Sequence, residues 1–254
     1  MNRPTRAALS ALSLLSLATL TACGGDSGSG SDADKPAATA SQEQQEQQEQ
    51  QATPEERLKQ LAITQADAPG DRKVTEPDDE FVFAKSAKEV TVDKPACAPL
   101  ALAMNQLPLG EPQADLTRVV DSGGANIGAF TYVTLTTYES GGAESAMSGL
   151  SKAVDACGGG FTAKSDENTS AYDSVTAEKP VAAAGDESLG FRSTLTFRGV
   201  THTVHTQAVR SGDVLAVYFS VDGSAIANSK PSDAKLPAAV VKAQNGKLGN
   251  GKLG

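Results

Sequence analysis

Residues 189–221 read LGFRSTLTFRGVTHTVHTQAVRSGDVLAVYFSV, and this stretch decides the fold. In its first part, large apolar residues alternate with arginine and threonine, which is typical of a strand with one buried and one solvent-exposed face. Two turn sequences, Arg198-Gly199 and Ser211-Gly212-Asp213, divide the stretch into three strands. In the third strand, residues 214–221, the side chains of residues 214–219 are apolar on both faces, so we expect this strand at the centre of an antiparallel meander.

Further strands and helices flank the meander. Residues 129–136 alternate like a strand rich in β-branched side chains. Weaker strand patterns lie near 81–84, 116–121, 161–164 and 171–177. Apolar residues recur at helical spacing after Pro95 and from Ala143 to Cys157, and Pro237 can start a last helix that ends before Asn245-Gly246. The pattern predicts an α+β fold, with an antiparallel β-sheet packed against two or three helices as an α/β sandwich.

Composition limits what the chain can do. The chain has 254 residues, a formal charge of −9 and a pI near 4.8. This charge argues against a nucleic-acid partner, because phosphate binding needs clustered lysine and arginine. All eleven aromatic residues fall between Phe81 and Phe219. Since a core needs large apolar side chains, we expect the globular domain at residues 81–248 and a flexible tail at 249–254.

The N-terminus has the pattern of a secretion signal. Residues 1–22 carry Arg3 and Arg6 and no acid, and a short apolar stretch from Ala7 to Leu20 follows the two arginines. The sequence Leu20-Thr21-Ala22-Cys23 comes at the end of this stretch and resembles a bacterial lipobox. The resemblance implies a lipoprotein signal peptide, a diacylglycerol on Cys23 and cleavage before it, which would place the protein at the extracytoplasmic face of the cell membrane. The alternative is an ordinary secretory signal with a chance cysteine.

A tether is expected between the lipid and the domain. Residues 23–52 are rich in Gly, Ser and Gln and have no apolar face to bury. Removal of residues 1–22 takes away two arginines, so the net charge becomes −9 − 2 = −11. Because an acidic chain is repelled by anionic lipid, the lipid itself would have to supply the membrane attachment. Residues 53–80 contain a capping box that predicts a short helix near 54–62, followed by an acidic linker.

Cys97 and Cys157 both lie on the predicted buried face of a helix. After lipidation of Cys23 they are the only remaining thiols, in an oxidising compartment, so we expect a disulfide between them. Its 61-residue loop, from residue 97 to residue 157, would stabilise the fold by roughly 4 kcal/mol. A reactive or metal-binding cysteine pair is the alternative, but the sequence has no CxxC and no histidine near either residue.

Five segments, taken in order, resemble a known family. They are Cys97-Ala98-Pro99-Leu100-Ala101, the Ala-rich helix ending at Cys157, Ala184-Gly185-Asp186-Glu187-Ser188, the meander, and residues 237–244. Their order and spacing resemble the extracytoplasmic sensor-type domains of actinobacterial lipoproteins and the related extracellular domain of PknH-type serine/threonine kinases. The resemblance covers about residues 81–248 and implies a ligand-binding cleft. The extracellular domain of the kinase carries a second disulfide, for which no cysteine remains in this sequence. Because we recognise no kinase domain in the sequence, we expect any signalling role to need a partner.

The two histidines, His202 and His205, are three residues apart. In a strand this spacing puts them on opposite faces, so the pair predicts no metal site. His202 sides with the apolar Val200 and Val204, and we expect it to be packed. His205 sides with Thr201 and Gln207, and we expect it to face solvent.

Few other residues suggest chemistry. Asp186-Glu187 could perform acid/base catalysis, but a Gly-Asp-Glu-Ser run is commonly a turn. Asp78-Asp79-Glu80 lacks the ligand spacing of a calcium loop, so we interpret it as a solvated acidic loop. Arg192 and Arg198 alternate with threonines on the solvent-exposed strand face; they are candidates for binding an acidic ligand, or simply part of a solubilising surface. The sequence predicts no catalytic residue and no cofactor.

The function predicted from these features is non-catalytic. We expect a lipid-anchored, extracytoplasmic lipoprotein that acts as a binding or sensor-type domain for a small ligand, whose identity the sequence does not give. One alternative is a cell-envelope interaction module that docks a protein partner on its threonine-rich sheet face. The other is an envelope hydrolase with a site built around Asp186 and Glu187.

Overall fold

A computed structural model describes residues 52–78, 83–123, 128–166 and 168–250. All of them belong to one compact unit, residues 44–254. The predicted signal peptide, the lipidation site Cys23, the tether up to residue 51 and residues 251–254 lie outside the described residues. None of the helices within the described ranges is both long and apolar enough to cross a membrane.

The sheet contains ten strands in the described part of the chain. They are β1 (Val74–Thr75), β2 (Thr91–Val92), β3 (Ala114–Asp121), β4 (Ala129–Thr137), β5 (Phe161–Lys164), β6 (Thr169–Glu178), β7 (Glu187–Phe197), β8 (Val200–Ser211), β9 (Val214–Asp222) and β10 (Ser232–Ala234). The order across the sheet is β1-β3-β4-β9-β8-β7-β6-β5-β2, and β10 pairs with β8 off this path. Every pairing is antiparallel except that of β10 with β8, which is parallel.

Five α-helices lie in the same described ranges. They are α1 (Pro54–Leu61), α2 (Ala98–Ala103), α3 (Gly142–Ala156), α4 (Gly223–Ala227) and α5 (Ala238–Asn250). Short 3₁₀ turns add Gln65–Asp67, Ala87–Glu89 and Pro95–Cys97. The predicted α+β class is confirmed. Of the weaker strand predictions, the one near 81–84 fails for residues 83 and 84, which are not in a strand, and its first two residues lie outside the described ranges.

The meander forms as its turn sequences predict. Arg198 and Gly199 both adopt left-handed backbone angles, with φ of 51° and 76°, as a two-residue hairpin requires. Gly212 does the same in the next turn, with φ of 62°. Strand β9 lies between β4 and β8, and residues 214–220 are all buried, so the apolar character of both faces is explained by its central position.

Helices cover both faces of the sheet. We call the side covered by α2 and α3 the disulfide face; there, Leu100 and Met147 pack against Leu215 and Val217 of β9. We call the side covered by α1 and α5 the terminal-helix face; its core includes residues from both ends of the described chain. The sheet is therefore the middle layer of three.

The Cys97–Cys157 disulfide is present, as predicted. It joins the turn that precedes α2 to the residue that ends α3, with the two Cα atoms 5.9 Å apart. Both cysteines are completely or almost completely buried. The bond thus ties together the two helices that cover one face of the sheet.

The terminal segments are more ordered than the sequence predicts. Residues 53–78 do not form a free linker, since Leu58 and Ile63 are fully buried on the terminal-helix face and β1 extends the sheet. Helix α5 continues through Gly246 to Asn250, because Leu248 is buried there. The reason is that aliphatic side chains build this half of the core, so the distribution of aromatic residues does not reveal it.

Candidate functional site

The sheet divides where β8 and β9 diverge. The two strands pair from Ser211–Val214 as far as His205–Ser220, and then β9 stays with β4. The cause is local: Asp222 caps α4 by accepting a hydrogen bond from the Ala225 amide at 2.8 Å, which turns the chain away. The chain then returns as β10, which pairs with residues 202–204 of β8.

A cavity of about 140 Å³ lies at this divergence. Its walls come from the two residues that follow α2, from α4 and from five strands, so residues far apart in the sequence meet there. The apolar lining includes Met104, Leu195, Val204, Val221 and Ile226. Polar groups line it as well, among them His202, Ser232, Tyr172, Asn105, Ser170 and Asp222.

His202 is the most deeply buried polar residue of this cavity, with 2% of its surface exposed. Its packed position confirms the prediction. The ring Nδ1 lies 2.8 Å from the Ser232 hydroxyl, whereas Nε2 is buried and has no hydrogen-bond partner. An unpartnered buried polar atom costs about 1–3 kcal/mol, so an occupant that bonds to Nε2 would recover part of that free energy.

His205 lies on the opposite face of β8, and only 5% of it is exposed, so the expectation that it faces solvent is wrong. Its Nδ1 is 2.8 Å from the nearer Glu178 oxygen, and its Nε2 is 2.6 Å from Asp233. Lys235 Nζ lies 3.0 Å from the same Nε2. Residues 232–235 cover a position that strand periodicity alone would leave open, and both histidines bond to β10.

Two carboxylates and one lysine surround His205. A hydrogen bond from Lys235 lowers the pKa of Asp233, and His205 contributes in the same direction. No three His, Cys, Asp or Glu side chains within the described ranges are arranged to hold a metal ion. The cluster is thus a set of polar contacts, among His205, Glu178, Asp233 and Lys235, that holds β10 against β8.

The two arginine candidates are separated by the structure. Arg192 is exposed on β7, opposite His205 in the register of β7 and β8. Arg198 is not on the strand face at all; it lies in the hairpin turn, with its guanidinium 5.0 Å from the centre of the Phe197 ring. The two side chains do not form a common binding site for an acidic group.

Asp186 and Glu187 contact the same arginine. Asp186 accepts hydrogen bonds from the Gly212 amide at 2.7 Å and from Arg210 at 3.3 Å. Glu187 lies 3.6 Å from the Arg210 side chain. These contacts fix the β8–β9 turn against the start of β7, which favours the structural interpretation of this pair.

A larger open groove runs along the disulfide face. It has a volume of about 770 Å³ and lies between α2, α3 and the loops at residues 109–113 and 139–142. Small and apolar side chains form most of its surface, with Glu111 and Glu139 among the polar residues. The groove and the cavity at the divergence are two separate concave surfaces.

Comparisons with known proteins add information on the fold alone. The sequence matches no family model and no curated protein. The extracellular domain of PknH from Mycobacterium tuberculosis superposes with a TM-score of 0.52 at 10% identity, over 80% of this chain and 99% of that domain. The two chains share a fold. This confirms the resemblance at the level of the fold.

A second solved structure is more distant. It is a putative uncharacterized protein from Mycobacterium smegmatis, the Rv0999 ortholog, with a TM-score of 0.34 at 10% identity. The alignment covers 76% of this chain and 94% of that one. A similarity this low carries no argument about the present protein.

Proposed function

We propose that this protein is a lipid-anchored binding or sensor-type domain at the extracytoplasmic face of the cell membrane, without catalysis. The Cys97–Cys157 disulfide is the observation that carries the proposed location, because such bonds persist in oxidising compartments and are rare in the cytosol. The lipobox-like Leu20-Thr21-Ala22-Cys23 supports the lipid anchor from the sequence. The fold shared with an extracellular domain supports the extracytoplasmic location but not the lipid anchor.

The geometry around the histidines supports binding over hydrolysis. In a hydrolytic triad the histidine bonds to the nucleophile through one ring nitrogen and to a carboxylate through the other. His202 bonds to Ser232 through Nδ1, but its Nε2 has no carboxylate partner. His205 has carboxylates on both sides and no hydroxyl or thiol nucleophile among its hydrogen-bond partners.

The location is tested with the full chain expressed in an actinobacterial host. We expect the wild-type protein in the membrane fraction, with mass spectrometry showing a diacylglycerol on Cys23 and loss of residues 1–22. Cys23→Ala should lack the lipid and leave the membrane fraction. Cys97→Ala serves as the matched control, because it removes a different cysteine and should retain the lipid. Unprocessed wild-type chain in the cytosol would refute the proposal.

The absence of catalysis is tested with the purified mature protein. We expect no turnover of ester, glycoside or peptide substrates above the buffer rate. Turnover that is lost in Ser232→Ala, or in the double variant Asp186→Asn with Glu187→Gln, while the circular dichroism spectrum is unchanged, would show that the protein is a hydrolase instead.

A protein-docking module is a second candidate. The terminal-helix side of β6, β7 and β8 carries exposed polar side chains, among them Thr176, Arg192 and Thr201. This threonine-rich sheet face could contact an envelope protein. Crosslinking in intact cells with a photoreactive residue at position 176 would distinguish the two, since only a docking module gives one defined crosslinked partner.

A further inference from the structure

The divergence of β8 and β9 leaves a gap in the sheet that the side chains do not fill. Residues 200–204 of β8 lose β9 as a neighbour and gain only the three-residue strand β10. Several lining residues, including Ser170, Thr203 and Ser232, are only half-buried, so the cavity is reachable from the surface. A cavity of about 140 Å³ is close in size to an engineered apolar cavity of about 150 Å³ that binds benzene.

We infer that this cavity binds a compact, neutral, amphipathic molecule of about six to eight non-hydrogen atoms, with its one hydrogen-bonding group on His202 Nε2. The inference rests on the proposed binding function and deepens it by naming the site and the ligand class. Leu195, Val221 and Ile226 contribute apolar wall for the body of the molecule.

The hydrogen-bonding end is defined by His202. If Ser232 donates to Nδ1 of the neutral ring, Nε2 carries the proton and is a donor toward a ligand; if Ser232 accepts from Nδ1, Nε2 is an acceptor. A hydroxyl group satisfies both arrangements. The ring itself is held in place by Ser232 and by burial, so the ligand would meet a fixed partner.

The charge of the lining excludes one class of ligand. Asp222 is part of the cavity wall, and its carboxylate is oriented by the amide of Ala225. No lysine or arginine is among the residues that line the cavity within the described part of the chain. A carboxylate ligand would therefore be repelled without compensation, whereas a neutral hydroxyl compound would not.

The test uses three probes of similar size: phenol, toluene and benzoate. The protein has only two histidines, so ¹H–¹⁵N spectra of the imidazole rings resolve His202 from His205. We expect phenol to shift the His202 ring signals, and not those of His205, with a Kd about tenfold lower than that of toluene, as for one hydrogen bond. Benzoate should produce no shift.

Two variants check the assignment, with toluene binding followed by ligand-observed NMR. His202→Leu should abolish the preference for phenol over toluene while retaining toluene binding. Ile226→Trp should fill the cavity and abolish binding of both, even though His202 is intact. Val181→Trp, at a position that is 41% exposed, is the matched control for added bulk and should bind as the wild type does.

Three results would overturn the inference. They are no His202 shift with phenol up to its solubility limit, equal affinities for phenol and toluene in the wild type, and unchanged binding in Ile226→Trp. None of these results affects lipidation, membrane localisation or lack of turnover. Failure of the cavity is thus distinguishable from failure of the proposed function.

Discussion

The two faces of the sheet are held by different means. On the disulfide face, α2 and α3 are joined covalently through Cys97 and Cys157. On the terminal-helix face, α1 and α5 are held by buried polar contacts: Gln244 accepts a hydrogen bond from the Ile63 amide and donates one to the Leu61 carbonyl, both at 2.7 Å. The two concave surfaces described above, the groove and the His202 cavity, lie on the covalently joined side. The disulfide face therefore has a covalent constraint in addition to its packing, whereas α1 and α5 depend on apolar packing and buried hydrogen bonds alone.

Removal of the disulfide should have the largest effect. The double variant Cys97→Ala, Cys157→Ala should lose roughly 4 kcal/mol of unfolding free energy, because the 60-residue separation no longer restricts the unfolded chain. Urea denaturation of the mature protein measures this. Wild-type protein in reducing buffer is the control and should unfold at a similar urea concentration. A loss below about 1 kcal/mol would mean that packing, not the bond, holds α2 and α3.

The second largest loss of stability should come from Gln244→Ala. It leaves a buried amide at Ile63 and a carbonyl at Leu61 without partners, and we expect a loss of about 2–3 kcal/mol in thermal or urea unfolding. The matched control is Lys242→Ala, an exposed residue on the same helix, which should change stability by less than about 0.5 kcal/mol. Equal effects of the two variants would contradict the role of Gln244 as the contact that joins the helices.

The cap of α1 should contribute less. Thr53 accepts a hydrogen bond from the Glu56 amide at 3.2 Å, and the Glu56 side chain accepts one from the Thr53 amide at 2.9 Å. Thr53→Ala should cost about 1 kcal/mol, and Thr53→Ser should restore most of it, since the serine hydroxyl can cap in the same way. Circular dichroism during urea titration gives both values, and identical curves for alanine and serine would rule out the cap.

The smallest effect should come from the ion pair between Arg57 and Asp213. Both side chains are about one-third or more exposed, at 43% and 35%, so we expect less than about 1 kcal/mol. A hydrogen bond from Arg57 lowers the pKa of Asp213 below its ordinary value of 3.8. The ion pair's contribution to the free energy of unfolding is therefore fully present above the pKa that Asp213 has in the unfolded chain. It is lost as the pH falls through the lower pKa that Asp213 has in the folded protein.

This pH dependence can be measured with Arg57→Ala. The stability difference from the wild type should be present at pH 6 and shrink toward zero at a pH low enough to protonate Asp213 in the folded protein. Lys59→Ala, an exposed substitution on the same helix, should show no such change. A difference that is the same at both pH values would show that Arg57 acts through packing alone.

The regular part of the fold was predictable because its signals are local. Gly199 and Gly212 set the turns, and the alternation between them sets the strands. Cys97 and Cys157 each lie at an apolar position of the helical pattern of their own segment. Together with the oxidising compartment expected for a secreted protein, this predicts the disulfide. The capping box likewise predicts α1, which is present at Pro54–Leu61. Its packing is not predictable from local signals, because the hydrogen bonds of Leu61 and Ile63 are made with Gln244 of α5, about 180 residues away in the sequence.

The candidate site could not be predicted in the same way. Ser232-Asp233-Ala234 has no β-branched or aromatic residue, so nothing marks it as a strand. Its pairing with β8 is parallel and arises only because β9 has turned away. Strand periodicity assigns His202 and His205 to opposite faces, but it cannot say which face a distant segment covers.

Gln244 also links the fates of the two chain ends. It forms hydrogen bonds with Ile63 and Leu61, which lie 181 and 183 positions earlier in the sequence. Nearby, Lys247 donates a hydrogen bond to Asp67 at 3.1 Å. Because each terminal helix completes the other's polar pairing, neither can open without exposing the other. The amides of α1 and α5 should therefore exchange with deuterium at one common rate, as a single cooperative unit, despite lying at opposite ends of the described sequence.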